Sequence, residues 1–315
     1  MKPYPFEQEA RHFSSGVNSP GEVRGISGWI GIAADEIRTG LLEELEARAG
    51  GPTCLFVDSG AFSEVEFTAA GPVVAEEISH LDWLLRFATY KRMAAAFRTR
   101  CYLVAPDRVG DQVVTLERLE RYAGRVRELA ETYRANVIVP VQKGARSMAE
   151  FWRACVDVLD LPLVDRVGDP MRPIAGIPMK KDATTIAELR EFAATMPAGS
   201  RFHLLGLGPT SKGYAAAVNA IRQVCPEASI TTDSNTIRRL VGRTNGAGKG
   251  PRALTKAQDR ARAAGLEGHD VKAAALAEVG HAAHRAEVLR AYELGWFDEE
   301  LEGFRPGLEL ETEAA

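Results

Sequence analysis

The feature that most constrains this chain is a repeated alternation of short apolar segments with longer segments of helical periodicity. Each short segment is rich in β-forming residues, and the segments between them are long enough for helices. Apolar strands separated by helices predict a parallel sheet that is covered on both faces. Six such strands are predicted: TCLFVD at 53–58, CYLVAPD at 101–107, NVIVPVQ at 136–142, RPIAGIP at 172–178, RFHLLGLG at 201–208 and SITTDS at 229–234.

The intervening segments carry the helical pattern. In the clearest of them, residues 112–133, apolar side chains recur every three or four positions while Glu and Arg occupy the opposite face. Further helices are predicted at 78–97, 148–159, 185–196 and 213–224.

The number of strands decides between two architectures. GWIGIAA at 28–34 is a seventh candidate strand, and FSSGV at 13–17 is an eighth. Eight strands close an α/β barrel of the TIM type, (β/α)8, whereas six form an open doubly wound sheet. The barrel is the favoured prediction, and the open sheet is the alternative.

Composition excludes several other classes of protein. With 45% apolar residues, 26% charged residues and a formal charge of −4, the 315-residue chain does not have the composition of a disordered protein. No apolar stretch approaches the roughly 20 residues of a membrane helix. The first residues, MKPYPFEQEARHF, show no signal-peptide pattern, so we expect a cytoplasmic protein with no membrane partner. The four cysteines form no C-x-x-C pair and indicate no disulfide framework.

The composition changes after residue 243, which divides the chain into two predicted parts. Residues 1–243 would form the barrel, and residues 244–315 would form a basic linker and C-terminal helices packed on it. The basic residues near this boundary predict contacts with the phosphates of a nucleic acid, with a solvated helix face as the alternative. They include Arg238, Arg239, Arg243, Lys249 and Arg252.

Polar residues stand where the predicted strands end, which is the edge at which parallel α/β folds gather their active sites. A single aspartate at such a place can instead cap the following helix, and that is our interpretation of Asp111. Four polar residues at comparable positions favour a site. They are Asp58, Asp107, Gln142 and Asp233.

Five motifs at these positions resemble those of the tRNA-guanine transglycosylase superfamily. DSGAFS at 58–63 is similar to the family's DSGGFQ segment, and VPVQKG at 139–144 is similar to its V-Q-G-G segment. AGIPM, HLLGLG and TTDS then follow in the family's order. DSGAFS and APDRVGDQ are most similar to the branch that places 7-deazaguanines in DNA. The resemblance spans residues 53–243.

The resemblance implies a glycosyltransferase of the pentosyl class that needs no cofactor. It would replace guanine in nucleic acid, DNA rather than tRNA, with a 7-deazaguanine such as preQ0, with protein partners from a modification system. Asp233 would be the nucleophile that attacks C1′, and Asp58 would be the general acid/base. The resemblance assigns substrate binding to Asp107, Gln142, Gly176, Gly206, Gly208, Ser59 and Gly60. Exchange with retained configuration requires such a nucleophile and a second carboxyl group that moves protons.

The chain departs from the family in its zinc region. The tRNA-modifying enzymes carry a C-x-C-x-x-C plus His zinc site after the nucleophile, whereas the last cysteine here, Cys225, precedes Asp233. We therefore expect a C-terminal helical extension without a zinc subdomain and without a bound metal. The histidines of that region, interpreted as exposed helix residues rather than ligands, are His269, His281 and His284. Ala61 and Ser63 also differ from the family's DSGGFQ, a change that bears on which base is accepted.

Two functions of other kinds stay open. GLGPTSKG at 206–213 could cradle a phosphate of a small-molecule substrate, with Asp58 and Asp107 holding Mg²⁺. The chain could also be a catalytically silent subunit that positions nucleic acid for a partner, although the aspartate at position 233 disfavours this hypothesis.

Overall fold

The barrel prediction is confirmed. The computed structural model describes residues 10–26, 29–68, 71–161, 172–180, 183–209, 211–235, 253–268, 270–271, 273–275 and 278. Eight parallel strands close a barrel in chain order, with the last strand paired to the first, and a separate two-stranded hairpin lies outside it. Strands β4 and β5 form the hairpin, and the other eight form the barrel. The strands are β1 (Arg11–Ser14), β2 (Ile30–Ala33), β3 (Leu55–Asp58), β4 (Val65–Thr68), β5 (Gly71–Val74), β6 (Cys101–Val104), β7 (Asn136–Pro140), β8 (Ile174–Pro178), β9 (Arg201–Leu205) and β10 (Ser229–Ser234).

Helices follow the barrel strands and cover the outside of the barrel. All five helices predicted between strands are present, and α1 and α2 are two that the sequence pattern did not predict. The helices are α1 (Pro20–Gly25), α2 (Thr39–Arg48), α3 (His80–Phe97), α4 (Gln112–Glu131), α5 (Met148–Leu159), α6 (Ile186–Ala194), α7 (Tyr214–Val224) and α8 (Ala253–Ala263).

Local capping chemistry fixes where several helices begin. Ser79, Ser147 and Thr185 each form a capping box, in which the side chain accepts from the third helical N–H and an acidic side chain accepts from the cap N–H. Asp111 caps α4 as predicted, because its carboxylate accepts from the backbone N–H groups of Val113 and Val114 at 3.0 Å. These caps place the strand-to-helix loops at the carboxyl edge of the barrel.

Two apolar layers hold the fold together. The larger layer lies between the strands and the helices, and the smaller fills the barrel interior. Interior positions alternate with outward positions along each strand, so Phe13, Phe56 and Tyr102 pack against one another inside, with ring centroids 5.1–5.6 Å apart in the pairs that involve Phe13. Full burial of such a side chain is worth about 1.5–3 kcal/mol. The barrel interior is therefore a packed floor beneath the site.

The C-terminal part of the chain is described only in pieces. Helix α8 buries Ala257 and Ala261, and Arg24 of α1 lies 3.6 Å from Asp270, which brings these residues against the barrel. The predicted phosphate-contacting residues Arg238, Arg239, Arg243, Lys249 and Arg252 lie outside the described residues. The same is true of His269, His281 and His284, which we interpret from the sequence as helix residues rather than metal ligands. Across the described ranges, every helix is too short or too polar to cross a lipid bilayer.

Candidate active site

A cavity opens at the carboxyl ends of the barrel strands, above the packed floor. The empty space within it, including its mouth, is about 540 Å³. Its wall combines polar strand ends with apolar side chains from the loops. The lining residues are Phe56, Asp58, Ser59, Ala61, Phe62, Val104, Asp107, Val109, Gln142, Pro178, Met179, Lys180, Leu205, Gly206 and Asp233. The four polar residues predicted from the strand ends thus share one cavity.

Asp107 lies at the centre of a hydrogen-bonded group on one side of the cavity. Ser59 Oγ donates to its Oδ1 at 2.7 Å, and Gln142 Nε2 donates to its Oδ2 at 2.8 Å. The Gln142 Oε1 in turn accepts from the Gly110 N–H at 2.9 Å, which fixes the orientation of the amide. Each carboxylate oxygen keeps lone pairs that can accept from a ligand. This edge is therefore suited to a planar ligand that donates N–H groups.

The protonation of Asp107 is set by opposing effects. Burial raises its pKa to about 6, although the hydrogen bond from Ser59, the charge of Arg118 and the hydrogen bond from Gln142 all lower it. Near neutral pH, Asp107 is therefore largely a carboxylate that is ready to accept hydrogen bonds.

A buried ion pair supports Asp107 from behind. The guanidinium of Arg118 donates to both carboxylate oxygens of Glu64, at 2.6 and 2.5 Å, and also to the backbone carbonyl of Asp107. Glu64 is fully buried, and its Oε1 accepts from the Ile78 N–H at 2.6 Å. Sequence reasoning missed this pair because its members are 54 positions apart and each is an ordinary charged residue in its own segment.

Asp58 ends β3 and lines the same cavity. Burial, followed by the negative charges of Asp107 and Asp233, raises its pKa to about 7, against a lowering by Lys180 and the Ser59 N–H. Asp58 therefore exists in both protonation states near neutral pH, which is the property required of a group that gives a proton and later takes one.

Asp233 on β10 has the opposite character. Burial acts to raise its pKa, but the hydrogen bond and charge of His203, the Gly206 N–H and the charge of Lys180 outweigh burial, and its pKa is lowered. The Gly206 N–H donates to Oδ1 at 2.6 Å, and His203 Nε2 lies 3.3 Å from the same oxygen. Asp233 is therefore held as a carboxylate, the form that a nucleophile requires.

The turn after Asp58 depends on a glycine. Gly60 adopts the left-handed conformation, with φ of +74°, and an added Cβ would lie 2.8 Å from Asp35 Oδ1. The Ser59 carbonyl accepts a hydrogen bond from the buried Arg86. The backbone is thereby fixed so that the Ser59 hydroxyl points at Asp107. Gly60 itself does not line the cavity, so its contribution is the shape of the turn rather than contact with a ligand.

The expected roles of two glycines do not fit the geometry. The resemblance has Gly176 offering backbone groups to the base, but its carbonyl accepts from the Val141 N–H at 2.7 Å within the strand wall, and it does not line the cavity. An added Cβ there would lie 2.7 Å from Ile138 Cγ2, so its function is close packing of the strands. Gly208 is also outside the cavity wall, and its carbonyl accepts from the Ser211 N–H.

Residues that the sequence reasoning did not single out complete the wall. Lys180 follows β8, and its Nζ lies 4.8 Å from the ring centroid of Phe62 on the opposite side of the cavity mouth. Phe62 is 43% exposed, so its ring is accessible to a flat ligand. A lysine after a strand and an aromatic residue in a turn are weak signals in a sequence, because neither identifies a partner.

The geometry bears on the phosphate and Mg²⁺ alternatives as well. The N–H of Gly206 is committed to Asp233, so it is not available to a phosphate in the manner of a glycine-rich cradle. In the described ranges, His, Cys, Asp and Glu side chains form no group of three or more that could hold a metal ion. Neither alternative gains support from the site.

Comparison with protein-family models and with curated proteins gives no match. Among solved structures, the chain is similar to a GH5-4 broad specificity endoglucanase from an uncultured bacterium, with a TM-score of 0.36 and 11% sequence identity. That similarity covers 84% of this chain and 85% of the endoglucanase chain. The assignment of a barrel fold therefore rests on the strand pairing observed in this chain itself.

Proposed function

We propose that this protein is an enzyme that exchanges guanine in nucleic acid, DNA in preference to tRNA, for a 7-deazaguanine through a covalent bond between Asp233 and the sugar. One observation carries the proposal: Asp233 and Asp58 share a cavity, yet the pKa of the first is lowered while that of the second is raised to about 7. Two carboxyl groups whose environments separate their pKa values are suited to the roles of nucleophile and proton carrier.

In the first half of the reaction, the Asp233 carboxylate attacks C1′ of the target nucleotide. A bond forms between the carboxylate oxygen and C1′ while the C1′–N9 bond breaks, and its electron pair leaves with the purine. Asp58 in its protonated form gives the departing guanine a proton and becomes a carboxylate. The negative charge of Asp233 stabilises the oxocarbenium-like sugar as it forms.

In the second half, Asp58 as a carboxylate removes the N9 proton from the incoming 7-deazaguanine. The resulting N9 lone pair forms the new bond to C1′ while the bond to Asp233 breaks. Asp58 returns to its protonated form, and Asp233 returns to its carboxylate. Two successive displacements give net retention at C1′, as in retaining glycosidases.

The group around Asp107 supports the choice of a purine-like base. The Watson–Crick edge of guanine and of its 7-deaza analogues carries an N–H and an amino group side by side, and the fixed Asp107 carboxylate can accept from both. Ser59 and Gln142 occupy one lone pair on each oxygen and thereby orient the carboxylate. Phe62 and Leu205 offer apolar surface for the faces of the ring.

A duplex substrate would have to extrude its target nucleotide into this cavity, at a cost of a few kcal/mol. The basic residues at 238–252, which lie outside the described residues, remain our prediction for the phosphate contacts that offset this cost. The preference for DNA rests on the similarity of DSGAFS and APDRVGDQ to the DNA-modifying branch. The same proposal places the protein in the cytoplasm, beside its nucleic acid.

The test is incorporation of radiolabelled guanine into duplex DNA and into bulk tRNA. We expect label in DNA with the wild-type protein and none with Asp233→Asn. Asp111→Asn is the matched control, since it makes the same change at a helix cap on the same edge of the barrel and Asn also caps well, so it should retain activity. Label in tRNA alone would overturn the preference for DNA.

A folded wild-type protein that labels neither polymer would contradict the exchange reaction. Undiminished labelling by Asp233→Asn would contradict the assignment of the nucleophile. A protein that binds DNA without exchange even when the base is supplied would favour the silent nucleic-acid-positioning subunit instead.

A further inference from the structure

His203 is a buried imidazole in the barrel interior, directly beneath Asp233. It lies on β9 with no exposed surface, and its ring stacks on Phe56 with centroids 4.7 Å apart and an interplanar angle of 15°. Both ring nitrogens have partners: Nδ1 lies 2.8 Å from Thr231 Oγ1, and Nε2 lies 3.3 Å from Asp233 Oδ1. The ring is thus fixed in position and in rotation.

The acceptor on one side of the ring determines which nitrogen donates. A carboxylate can only accept, so Nε2 of His203 carries a hydrogen and donates to Asp233. On the other side of the ring, Nδ1 lies 2.8 Å from the Thr231 hydroxyl, which in turn lies 3.3 Å from the Phe202 carbonyl. The ring is therefore held with its Nε2–H directed at Oδ1 of Asp233.

The two oxygens of Asp233 are not equivalent. Oδ1 accepts from His203 Nε2 and from the Gly206 N–H, whereas Oδ2 accepts no hydrogen bond from the described part of the chain. We propose that His203 is a positioning residue whose Nε2–H, together with the Gly206 N–H, holds Oδ1 of Asp233 and leaves Oδ2 as the atom that attacks C1′. This inference rests on the base exchange proposed above.

The two oxygens of the Asp233 carboxylate therefore have different functions in this proposal. Two donors on Oδ1 keep Asp233 ionised and fix its plane, while the lone pairs of Oδ2 stay available to carbon. The charged groups that act on Asp233 besides His203 are Lys180, which follows β8, and Asp58 on β3. Lys180 also favours the carboxylate, but it is an exposed, flexible side chain and does not fix the plane.

The pairing is tested first by NMR of the ring nitrogens of His203, which requires no reaction. We expect Nε2 in the wild-type protein to show the ¹⁵N shift and the one-bond proton coupling of a nitrogen that carries hydrogen. In Asp233→Asn, where the charged acceptor is absent, we expect the resonance of that proton to move upfield. A wild-type Nε2 that carries no hydrogen would overturn the proposal even if base exchange were fully active.

The functional consequence is tested with two variants. His203→Phe keeps a flat ring on Phe56 but removes the Nε2–H donor to Asp233, so kcat should fall by roughly a hundredfold or more, as for loss of one preorganised donor, while KM for the incoming base stays close to wild type. The acid limb of the pH–rate profile should also move towards neutral pH, because Asp233 is then protonated more easily. His203→Gln restores a neutral donor near Nε2 and should recover part of the loss.

His12→Phe is the matched control. His12 forms a similar hydrogen bond to a threonine, Nδ1 to Thr232 Oγ1 at 2.8 Å, but it lies on the outward face of β1. The His12→Phe substitution should lower the stability of the fold without moving the pH–rate profile. A folded His203→Phe with wild-type kcat and an unmoved acid limb would overturn the positioning role. A hydrogen on Nε2 in a wild-type protein that labels no nucleic acid would contradict the exchange reaction but leave the pairing intact.

Discussion

The aspartates in this cavity differ in pKa because their neighbouring groups differ. Asp233 is held by two donors and a nearby lysine, and its pKa is lowered, whereas Asp58 lies among other acids and its pKa rises to about 7. The two side chains are chemically identical and titrate in opposite directions. The side-chain types alone could not reveal this, because the contrast arises from donors on β9 and directly after it, and from acids on β10 and in the loop after β6.

The raised pKa of Asp58 makes the stability of the fold depend on pH. The folded state holds the proton of Asp58 more tightly than the unfolded chain does, so stability is lost as pH rises from about 4 through about 7. Asp58→Asn has no proton to lose. We expect the free energy of unfolding of this variant to match that of the wild type at pH 4 and to exceed it above pH 7, by up to about 4 kcal/mol.

Urea denaturation of both proteins at pH 4 and pH 8 provides the measurement, and the value at pH 4 serves as the internal control. A difference that does not grow with pH would show that the charge of Asp58 is well solvated in the folded protein. The same variant should lose base exchange, so stability and activity should move in opposite directions.

Elements of the barrel were predicted with more success than the contacts between them. Seven of the eight barrel strands lie within predicted segments, because each is an apolar run bounded by turn residues, whereas β1 (Arg11–Ser14) shares only Phe13 and Ser14 with the predicted segment 13–17. The hairpin of β4 and β5 and the helices α1 and α2 were missed. The hairpin strands are four residues each and carry no strong alternation, and α2 has only two buried residues, Leu41 and Leu45, to mark its inner face.

The candidate site was predicted in part for a similar reason. Strand ends in a parallel fold converge by geometry, so Asp58, Asp107, Gln142 and Asp233 could be identified from position. His203 could not, because a histidine inside an apolar strand carries no mark of its partner. Gly176 was assigned to the ligand, whereas its lack of a side chain serves the packing of neighbouring strands.

The pair of Glu64 and Arg118 joins the hairpin segment to α4 and should be costly to break. Glu64→Gln removes the bidentate carboxylate partner of the buried Arg118 and leaves its guanidinium with the exposed Glu77 at 3.6 Å, and we expect a loss of about 3 kcal/mol in the free energy of unfolding. Glu128→Gln is the control, since Glu128 pairs with Lys91 at 2.7 Å on the surface and should change the melting temperature little. Equal effects of the two changes would show that the buried pair is not structural.

Replacement of glycine by alanine should change the stability of the fold in opposite directions at two positions. Gly206 directly follows β9 with φ of +74°, and an added Cβ would lie 2.6 Å from Lys180 Cε. Gly206→Ala should therefore lower the free energy of unfolding by about 1–2 kcal/mol and displace the N–H that holds Asp233. Gly124 lies within α4 with open space around it, so Gly124→Ala should stabilise the fold by about 0.5–1 kcal/mol. Thermal denaturation measures both, and a stabilised Gly206→Ala would refute the strained turn.

Considered across its full length, the chain combines a described barrel with a C-terminal region described only around α8. In the proposed function the barrel supplies the catalytic carboxyl groups, and the basic residues between the two parts are our prediction for the nucleic-acid contacts. Overall charge is slightly negative, so affinity for a polyanion must come from a local cluster rather than from the net charge.

Reversal of charge at Arg238, Arg239 and Arg243 should weaken binding to DNA and reduce its dependence on salt. Each phosphate contact that is lost should lower the slope of log affinity against log salt by about 0.9. Fluorescence anisotropy at several salt concentrations measures the slope, with reversal of Arg121 and Arg125 on α4 as the control. An unchanged slope in the triple variant would identify the basic run as solvated surface.

The packed interior of the barrel beneath the cavity also bears on the order in which the two bases would leave and enter. Aromatic rings fill the barrel interior, so in the proposed exchange both bases would use the same mouth, and guanine would depart before its replacement enters. Turnover should therefore be ping-pong, with free guanine competing against the incoming base. Between the two proposed half-reactions, the protein would be bound covalently to its polymer. A cell short of the replacement base would accumulate this adduct, and such lesions would halt any machinery that travels along the strand.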